Sequence, residues 1–189
     1  MRDVEPLTTS RLVLREFVHD DHAAVHAYAS DPDVAKFIDW GPNTPAETTF
    51  FLDMVIAAAS ASPRIRYALA AEHAGAVIGA VELRVEEAAH RRGSMGYVFA
   101  RPTWGQGLAT EAAGAVLGFA FDHLGLHKVS ATCDPHNSGS VRVLEKIGMS
   151  REGHLRDHFL VHGRWRDRLL WAAVRPADGS ERLQRVEQR

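Results

Sequence analysis

One stretch decides the fold of this chain: Trp104-Gly105-Gln106-Gly107-Leu108-Ala109-Thr110-Glu111-Ala112-Ala113. It follows a short strand-like run, Met95-Gly96-Tyr97-Val98-Phe99. After the stretch, apolar residues recur at the helical spacing of three and four. They are Ala112, Val116, Phe119, Ala120 and Leu124. The pattern predicts a strand that enters a helix through a glycine-containing turn, which lets a ligand approach the backbone closely.

This turn is expected to bind an anion, because the first N–H groups of a helix have no partner inside it and the helix dipole favours negative charge there. A phosphate or pyrophosphate fits such a site best. A nucleotide-triphosphatase loop needs Gly-Lys followed by Ser or Thr, and no Gly-Lys pair occurs. A dinucleotide-binding loop needs a third glycine where Thr110 stands. A coenzyme A pyrophosphate held by main-chain amides, or a turn that binds nothing, are the remaining interpretations.

A second motif lies further along the chain. Val129–Asp134 reads as a strand and is followed by Pro135-His136-Asn137-Ser138-Gly139-Ser140-Val141-Arg142-Val143-Leu144-Glu145-Lys146-Ile147-Gly148-Met149. Asn137 is placed to cap a helix, and Gly148 is placed to end it. The apolar stripe of this helix is predicted to consist of Val141, Leu144 and Ile147.

With both motifs in hand, the chain resembles the GNAT superfamily of acyl-CoA-dependent N-acyltransferases, and most closely its RimJ/RimL-like branch. Further matching segments are Thr9–Arg15, Val77–Gly79 and Gly163–Asp167. The resemblance covers residues 8 to 175, which we expect to form one domain; residues 176–189 are expected to be a frayed polar tail. It implies an α/β (α+β) fold with a central mixed, mostly antiparallel seven-stranded sheet, helices on both faces and one splayed strand pair.

The resemblance also implies acetyl-CoA as the acyl donor and no metal. In the family, the pantetheine arm enters between the two splayed strands. The implied cofactor contacts are the strand edge at Tyr97, Val98 and Phe99, the amides of Gly105, Gln106, Gly107, Leu108, Ala109 and Thr110, and the second-motif residues Asn137, Ser140 and Arg142.

The implied reaction is direct attack of an amine on the thioester, which needs a neutral amine and a proton for the leaving thiolate. A peptide α-amine has a pKa of about 7.7 to 8.0 and needs only a weak base, whereas lysine, at about 10.4, needs a stronger one. The candidate bases are Glu82, Asp157 and His158.

Many relatives protonate the thiolate with a tyrosine of the second-motif helix, but the matching residue here is Leu144. The RimL-like branch resembles this chain in having a serine at Ser140, which becomes the candidate proton donor. The alternative is a first-turn serine that satisfies backbone groups.

Two other residue pairs allow different chemistry. Cys133 and His136 have a spacing that a covalent acyl-transfer site could use, although a small buried cysteine is the commoner case. His22 and His26 lie one helical turn apart, as metal ligands can, but the sequence offers no third ligand beside them.

The other predicted elements frame these motifs. They are a strand at Arg11–Phe17, helices at Asp20–Ser30 and Pro45–Ala61, a hairpin of Arg66–Glu72 with Ala76–Glu86, and a final antiparallel pair of His154–Val161 with Arg164–Val174. The buried side of the second helix is predicted to contain Phe50, Phe51, Met54, Val55 and Ala58.

Composition excludes several classes of protein. The chain has 189 residues, 46% of them hydrophobic, and a net charge of −2, which argues against a nucleic-acid-binding module. A single cysteine rules out an internal disulfide framework. The N-terminus lacks the apolar core of a signal peptide, and no apolar run has membrane-spanning length. We therefore expect a cytoplasmic protein without membrane or nucleic-acid partners, which could form a homodimer.

The function expected from the sequence is transfer of an acetyl group from acetyl-CoA to a primary amine, either a protein N-terminal α-amine or a small-molecule amine. An antibiotic or polyamine acetyltransferase and the use of another acyl donor, such as succinyl-CoA, are the alternatives within this chemistry. A non-catalytic acyl-CoA-binding regulatory module is the alternative outside it.

Overall fold

The computed structural model of the chain describes residues 5–161 and 163–175. In these residues the strands are β1 (Leu7–Thr8), β2 (Val13–Glu16), β3 (Arg66–His73), β4 (Ala76–Glu87), β5 (Arg92–Phe99), β6 (Lys128–Cys133), β7 (Ser150–Val161) and β8 (Arg164–Val174). The α-helices are α1 (His22–Ala29), α2 (Pro32–Ala35), α3 (Pro45–Ala59), α4 (Leu108–Asp122) and α5 (Ser138–Lys146).

The strands form one mixed sheet in the order β1-β2-β3-β4-β5-β6-β8-β7. Only β5 and β6 pair in parallel; the other neighbours are antiparallel. The mixed, mostly antiparallel sheet is therefore confirmed. The expected count of seven strands was one too few, because the two residues of β1 pair with Leu14 and Val13 and add a short edge strand.

Helices cover both faces of the sheet, as expected. Because side chains alternate along a strand, neighbouring residues of β3 and β4 enter different cores. Leu69 and Val81 pack with α4 and α5, whereas Ala68 and Ala80 pack with α1 and α3. We call these two sides of the sheet the α4/α5 face and the α1/α3 face.

The splayed strand pair is β5 and β6. Their pairing runs only from Arg92 opposite Lys128 to Ser94 opposite Ser130. Beyond these residues, Met95–Phe99 and Ala131–Cys133 have no register with each other. The gap between them opens the middle of the sheet, where both sequence motifs meet.

Most local predictions are confirmed within one to four residues. The β3–β4 hairpin turns at Ala74 and Gly75. Four of the five residues of the predicted apolar stripe are buried in α4, whereas the fifth, Leu124, lies beyond the end of the helix and is half-buried. The predicted buried side of α3 was wrong in part: Phe50 is 68% exposed and Met54 is 38% exposed. The residues that α3 buries are Thr48, Leu52 and Val55. The predicted polar tail lies outside the described residues.

No helix in residues 5–161 and 163–175 combines the length and the apolar character needed to cross a membrane.

Candidate active site

The gap between β5 and β6 opens into a cleft of about 1510 Å³. Strands β4, β5 and β6 line it, together with the loop and first turn of α4, the start of α5, and the α1/α3 side with the segment that joins α2 to α3. Nearly all residues that the sequence proposed as cofactor contacts line this cleft; the exception is Gln106. The fold thus brings the two motifs together across the splay.

The turn before α4 has glycines at positive φ and backbone amides without a partner among the described residues, the two features that the expected anion-binding loop requires. Gly105 and Gly107 have φ values of +77° and +78°, which other residues adopt only with strain. The hydrogen-bonded amides of the helix begin at Glu111, which donates to the Gly107 carbonyl over 3.0 Å. In the part of the chain that the structure describes, the amides of residues 105–110 have no partner. Six donors are therefore left for a ligand.

Arg11 fixes the direction of this loop. Its Nη1 donates to the carbonyl of Gln106 over 2.9 Å, and its Nε donates to Glu111 over 2.7 Å. Since a trans peptide is planar, the N–H of Gly107 points away from the carbonyl that Arg11 holds. The side chain of Gln106 is used within the loop, where it donates to the Pro102 carbonyl. Gln106 can therefore serve a ligand through its amide, as the sequence suggested.

Glu111 ties the N-terminal segment to the first turn of α4. Its carboxylate accepts from the Thr9 hydroxyl at 2.6 Å, from the Arg11 amide at 2.8 Å and from the Ser10 hydroxyl at 2.9 Å. The Thr9 hydrogen bond, followed by those of Arg11 and Ser10, lowers the pKa of Glu111 to about 2. The start of the segment matched at Thr9–Arg15 thus holds the loop before α4 in position through hydrogen bonds.

We expect Glu111→Gln to destabilise the fold by about 2 kcal/mol at pH 7. Because the folded pKa is depressed, the stabilisation by Glu111 is fully present above its ordinary value of 4.5 and is lost as the pH falls towards 2. The difference between variant and parent should therefore shrink between pH 5 and pH 2 in urea unfolding. Glu145→Gln, at an exposed position of α5, is the control; a difference that does not change with pH would contradict this role for Glu111.

One edge of β5 faces the gap with free backbone groups. Ala100 donates to the Ile78 carbonyl of β4, and the carbonyl of Phe99 instead accepts from the Trp104 indole over 2.8 Å. Because backbone groups alternate in direction along a strand, those of Tyr97 point into the gap and those of Val98 point to β4. Of the three proposed strand-edge contacts, Tyr97 therefore offers both its N–H and its carbonyl to the gap, and Phe99 offers its N–H. Val98 lines the cleft with its side chain.

Ser140 and Tyr97 meet across the splay. Their hydroxyl oxygens are 2.8 Å apart, and the Tyr97 hydroxyl is also 3.1 Å from the Ser140 carbonyl. Asn137 caps α5 as predicted, since its side chain accepts from the Ser140 amide over 3.0 Å. Burial raises the pKa of Tyr97, so its hydroxyl stays protonated at neutral pH. Leu144, the residue at the tyrosine position of many relatives, is 1% exposed and belongs to the core.

The spacing of Cys133 and His136 does not produce a catalytic pair. Burial raises the pKa of the Cys133 thiol, which disfavours the nucleophilic thiolate. His136 places its Nδ1 3.0 Å from Asp134 instead.

His22 and His26 join two helices. Nε2 of His22 lies 3.1 Å from the Pro45 carbonyl, and Nδ1 of His26 lies 3.0 Å from the Thr48 hydroxyl, so both fasten α1 to α3. Within the described residues, no group of three potential ligands could hold a metal.

The two carboxylates proposed as bases lie in different places. Glu82 lines the cleft on the α1/α3 face, where its oxygens accept from Arg66 over 2.8 and 2.7 Å and from Arg84 over 3.2 Å. Asp157 is exposed at an irregularity of β7 and does not line the cleft; its amide donates to Asp167. His158 stacks on Phe159 and also lies outside the cleft lining. The structure brings only Glu82 to the site.

Sequence reasoning missed a buried ion pair at the floor of the cleft. Asp134 and Arg168 are each 2% exposed, and their charged atoms are 3.4 Å apart. Arg168 also donates to the Phe37 carbonyl over 3.0 Å and lies 4.7 Å from the ring centre of Phe159. No local sequence pattern predicts this pair, because Asp134 directly follows β6 and Arg168 lies in β8. It anchors the segment after α2 to the sheet.

The chain is similar to known acetyltransferases in both sequence and fold. The family described as acetyltransferase (GNAT) domain matches residues 11–150. YnaD of Bacillus subtilis, named an uncharacterized N-acetyltransferase, is 32% identical over 168 residues, 89% of this chain and 96% of its own. Spermidine N(1)-acetyltransferase of Escherichia coli is 32% identical over 93 residues, 49% of this chain and 50% of its own. The structure of Mycobacterium smegmatis RimJ in complex with CoA-disulfide has a TM-score of 0.78 at 26% identity and covers 93% of this chain and 89% of its own.

Proposed function

Because the chain belongs to the GNAT family and is an acyl-CoA-dependent N-acetyltransferase, we propose that it moves the acetyl group of acetyl-CoA to a primary amine by direct attack. The acceptor is a protein N-terminal α-amine or a small-molecule amine. One observation carries the proposal: the amides of residues 105–110 have no partner in the described chain, and all of these residues except Gln106 line the same cleft as Ser140. A diphosphate is the group that such a row of donors at a helix N-terminus fits.

The donor and the acceptor enter the splay from opposite faces in this proposal. The diphosphate lies on the amides before α4, and the pantetheine arm follows the free edge of β5 at Tyr97. Tyr97 lies opposite Val81, on the α4/α5 face, and Ser140 lies in the first turn of α5 on the same side. Glu82 follows Val81 and so projects to the α1/α3 face. The amine therefore approaches from the α1/α3 side.

The chemistry requires two proton movements. The amine nitrogen forms a bond to the thioester carbon, the C–S bond breaks, and the sulfur leaves as a thiolate that must be protonated. In this proposal a water molecule beside Glu82 accepts the proton from the nitrogen. Glu82 is the only proposed carboxylate base that lines the cleft. We assign the proton for the sulfur to the Ser140 hydroxyl, whose oxygen takes up a proton from solvent water in turn. We assign Tyr97 a positioning role: its hydroxyl lies 2.8 Å from that of Ser140, and donation of its proton to Ser140 Oγ would leave the serine proton directed at the sulfur.

Ser140→Ala is expected to lower kcat by about a hundredfold, the lower range for loss of a general acid, with KM for acetyl-CoA changed by less than about threefold. Tyr97→Phe should lower kcat by a smaller factor. The measurement is release of the CoA thiol with a panel of peptides and small amines. Ser150→Ala, an exposed serine outside the cleft lining, is the control.

Two outcomes would contradict this function. If calorimetry shows binding of CoA but no amine releases it, the chain is a non-catalytic acyl-CoA-binding module. If Ser140→Ala keeps the parent kcat, the serine is only a first-turn residue of α5. Succinyl-CoA belongs in the same panel, because the amides before α4 contact the diphosphate and do not select the acyl group.

A further inference from the structure

Large apolar side chains are exposed on the acceptor side of the cleft. Trp40 and Met54 are each 38% exposed and Phe50 is 68% exposed, and all three line the same cleft as Ser140. Phe50 and Met54 lie one turn apart on α3, so their side chains share a face of the helix. We call these three residues the apolar wall. The stripe that α3 needs for the core is formed by other residues, so the fold does not require large apolar groups at these positions.

Of the carboxylates that line the cleft, three are paired with arginine: Asp33 with Arg101, Glu82 with Arg66, and Asp134 with Arg168. In the described chain, Glu47 and Glu86 accept only from Thr44 and Ser94 and keep their charge. Within the described residues, Asp39 is the only cleft carboxylate without a polar partner. Of the side chains that the structure describes, six carboxylates and five arginine or lysine side chains line the cleft, so its net charge is only −1 with histidine neutral. A nearly neutral lining gives an amine with several ammonium groups little electrostatic attraction.

From the exposed apolar wall and the nearly neutral lining of the cleft, we infer that the acceptor is a primary amine that carries a bulky apolar group, aromatic or branched alkyl, near its nitrogen. The inference rests on the proposed function and names its substrate class. The apolar group packs on Trp40, Phe50 and Met54, where its transfer from water supplies the binding energy. The amine then points to the thioester beside Ser140. An apolar surface beside a reactive cleft, rimmed by polar groups, is typical of a ligand-binding site.

The first test compares kcat/KM for three acceptors: 2-phenylethylamine, a short peptide beginning with phenylalanine, and spermidine. We expect at least one of the first two to exceed spermidine by about tenfold or more, as contact of a phenyl group with the wall implies. The better of those two shows whether the apolar amine is a small molecule or a peptide N-terminus. If kcat/KM for spermidine equals or exceeds the values for both apolar acceptors, the inference is wrong, but the proposed N-acetyltransferase activity stands. No CoA release with any acceptor overturns the proposed function itself.

The second test uses variants of the apolar wall. Phe50→Ala and Met54→Ala should each raise KM for the preferred apolar amine by about threefold to tenfold and leave KM for spermidine unchanged. Phe50→Glu should move the preference towards spermidine, because it adds an unpaired carboxylate to the wall. Ile65→Ala is the matched control, since Ile65 is 53% exposed but does not line the cleft. If Phe50→Ala behaves like Ile65→Ala with every acceptor, the wall does not bind the acceptor.

Discussion

Gly107→Glu should raise KM for acetyl-CoA by at least about a hundredfold, the equivalent of losing roughly 2.8 kcal/mol of binding. The substitution places a carboxylate beside the amides that we assign to the diphosphate, so that two anions compete for the same donors. It also forces a side chain onto a backbone with φ of +78°. A β-carbon at this position meets only Arg11 Nη2, at 3.6 Å, so the protein should still fold. Steady-state kinetics and calorimetry with CoA measure the effect.

Gly75→Glu is the matched control for this variant. Gly75 has a φ of +81° in the β3–β4 turn and does not line the cleft, and a β-carbon added there would have no atom within 4 Å. The control therefore shares the backbone strain and the added charge, and we expect acetyl-CoA kinetics like those of the parent. If the Gly107→Glu and Gly75→Glu proteins bind CoA with the same affinity, the diphosphate does not bind to this loop.

Asp134→Ala should reduce the free energy of unfolding by about 3 to 5 kcal/mol. The change leaves the guanidinium of Arg168 buried at 2% exposure, with the carbonyl of Phe37 as its remaining close polar acceptor. An uncompensated buried charge costs more than the ion pair itself contributes. Asp134 also accepts from the His136 amide over 2.8 Å, so the start of the second motif loses a further hydrogen bond. Urea unfolding at pH 7 measures the loss.

Two further variants separate charge from packing at this ion pair. Asp134→Asn keeps an oxygen for the His136 amide and should cost clearly less than Asp134→Ala. Adding Arg168→Met to Asp134→Ala removes the stranded cation and should recover part of the lost stability, as a double-mutant cycle would show. A cost below about 0.5 kcal/mol for Asp134→Ala would mean that solvent reaches Arg168 and that this pair does not anchor the segment after α2.

Predictions from local signals were mostly correct. Glycines at positive φ, the side-chain cap of Asn137 and the apolar period of α4 each act within a few residues, so their effect is visible in the sequence. The amphipathic period of α3 was a weaker guide. Its apolar residues surround most of the helix, and the sequence does not say which of them faces the sheet. Phe50 and Met54 were therefore expected inside, although they are exposed in the cleft.

The amino-acid sequence was sufficient to predict a strand, a glycine turn and a helix N-terminus, to which we assign an anion, and a second capped helix after them. These features depend on backbone conformation and periodicity, which neighbouring residues set. The long-range contacts of these elements became visible only in the folded structure. Arg11 reaches Glu111 across 100 positions, Tyr97 reaches Ser140 across 43, and Arg168 reaches Asp134 across 34. Such contacts depend on strand order, register and the splay of β5 from β6, and no local pattern encodes these.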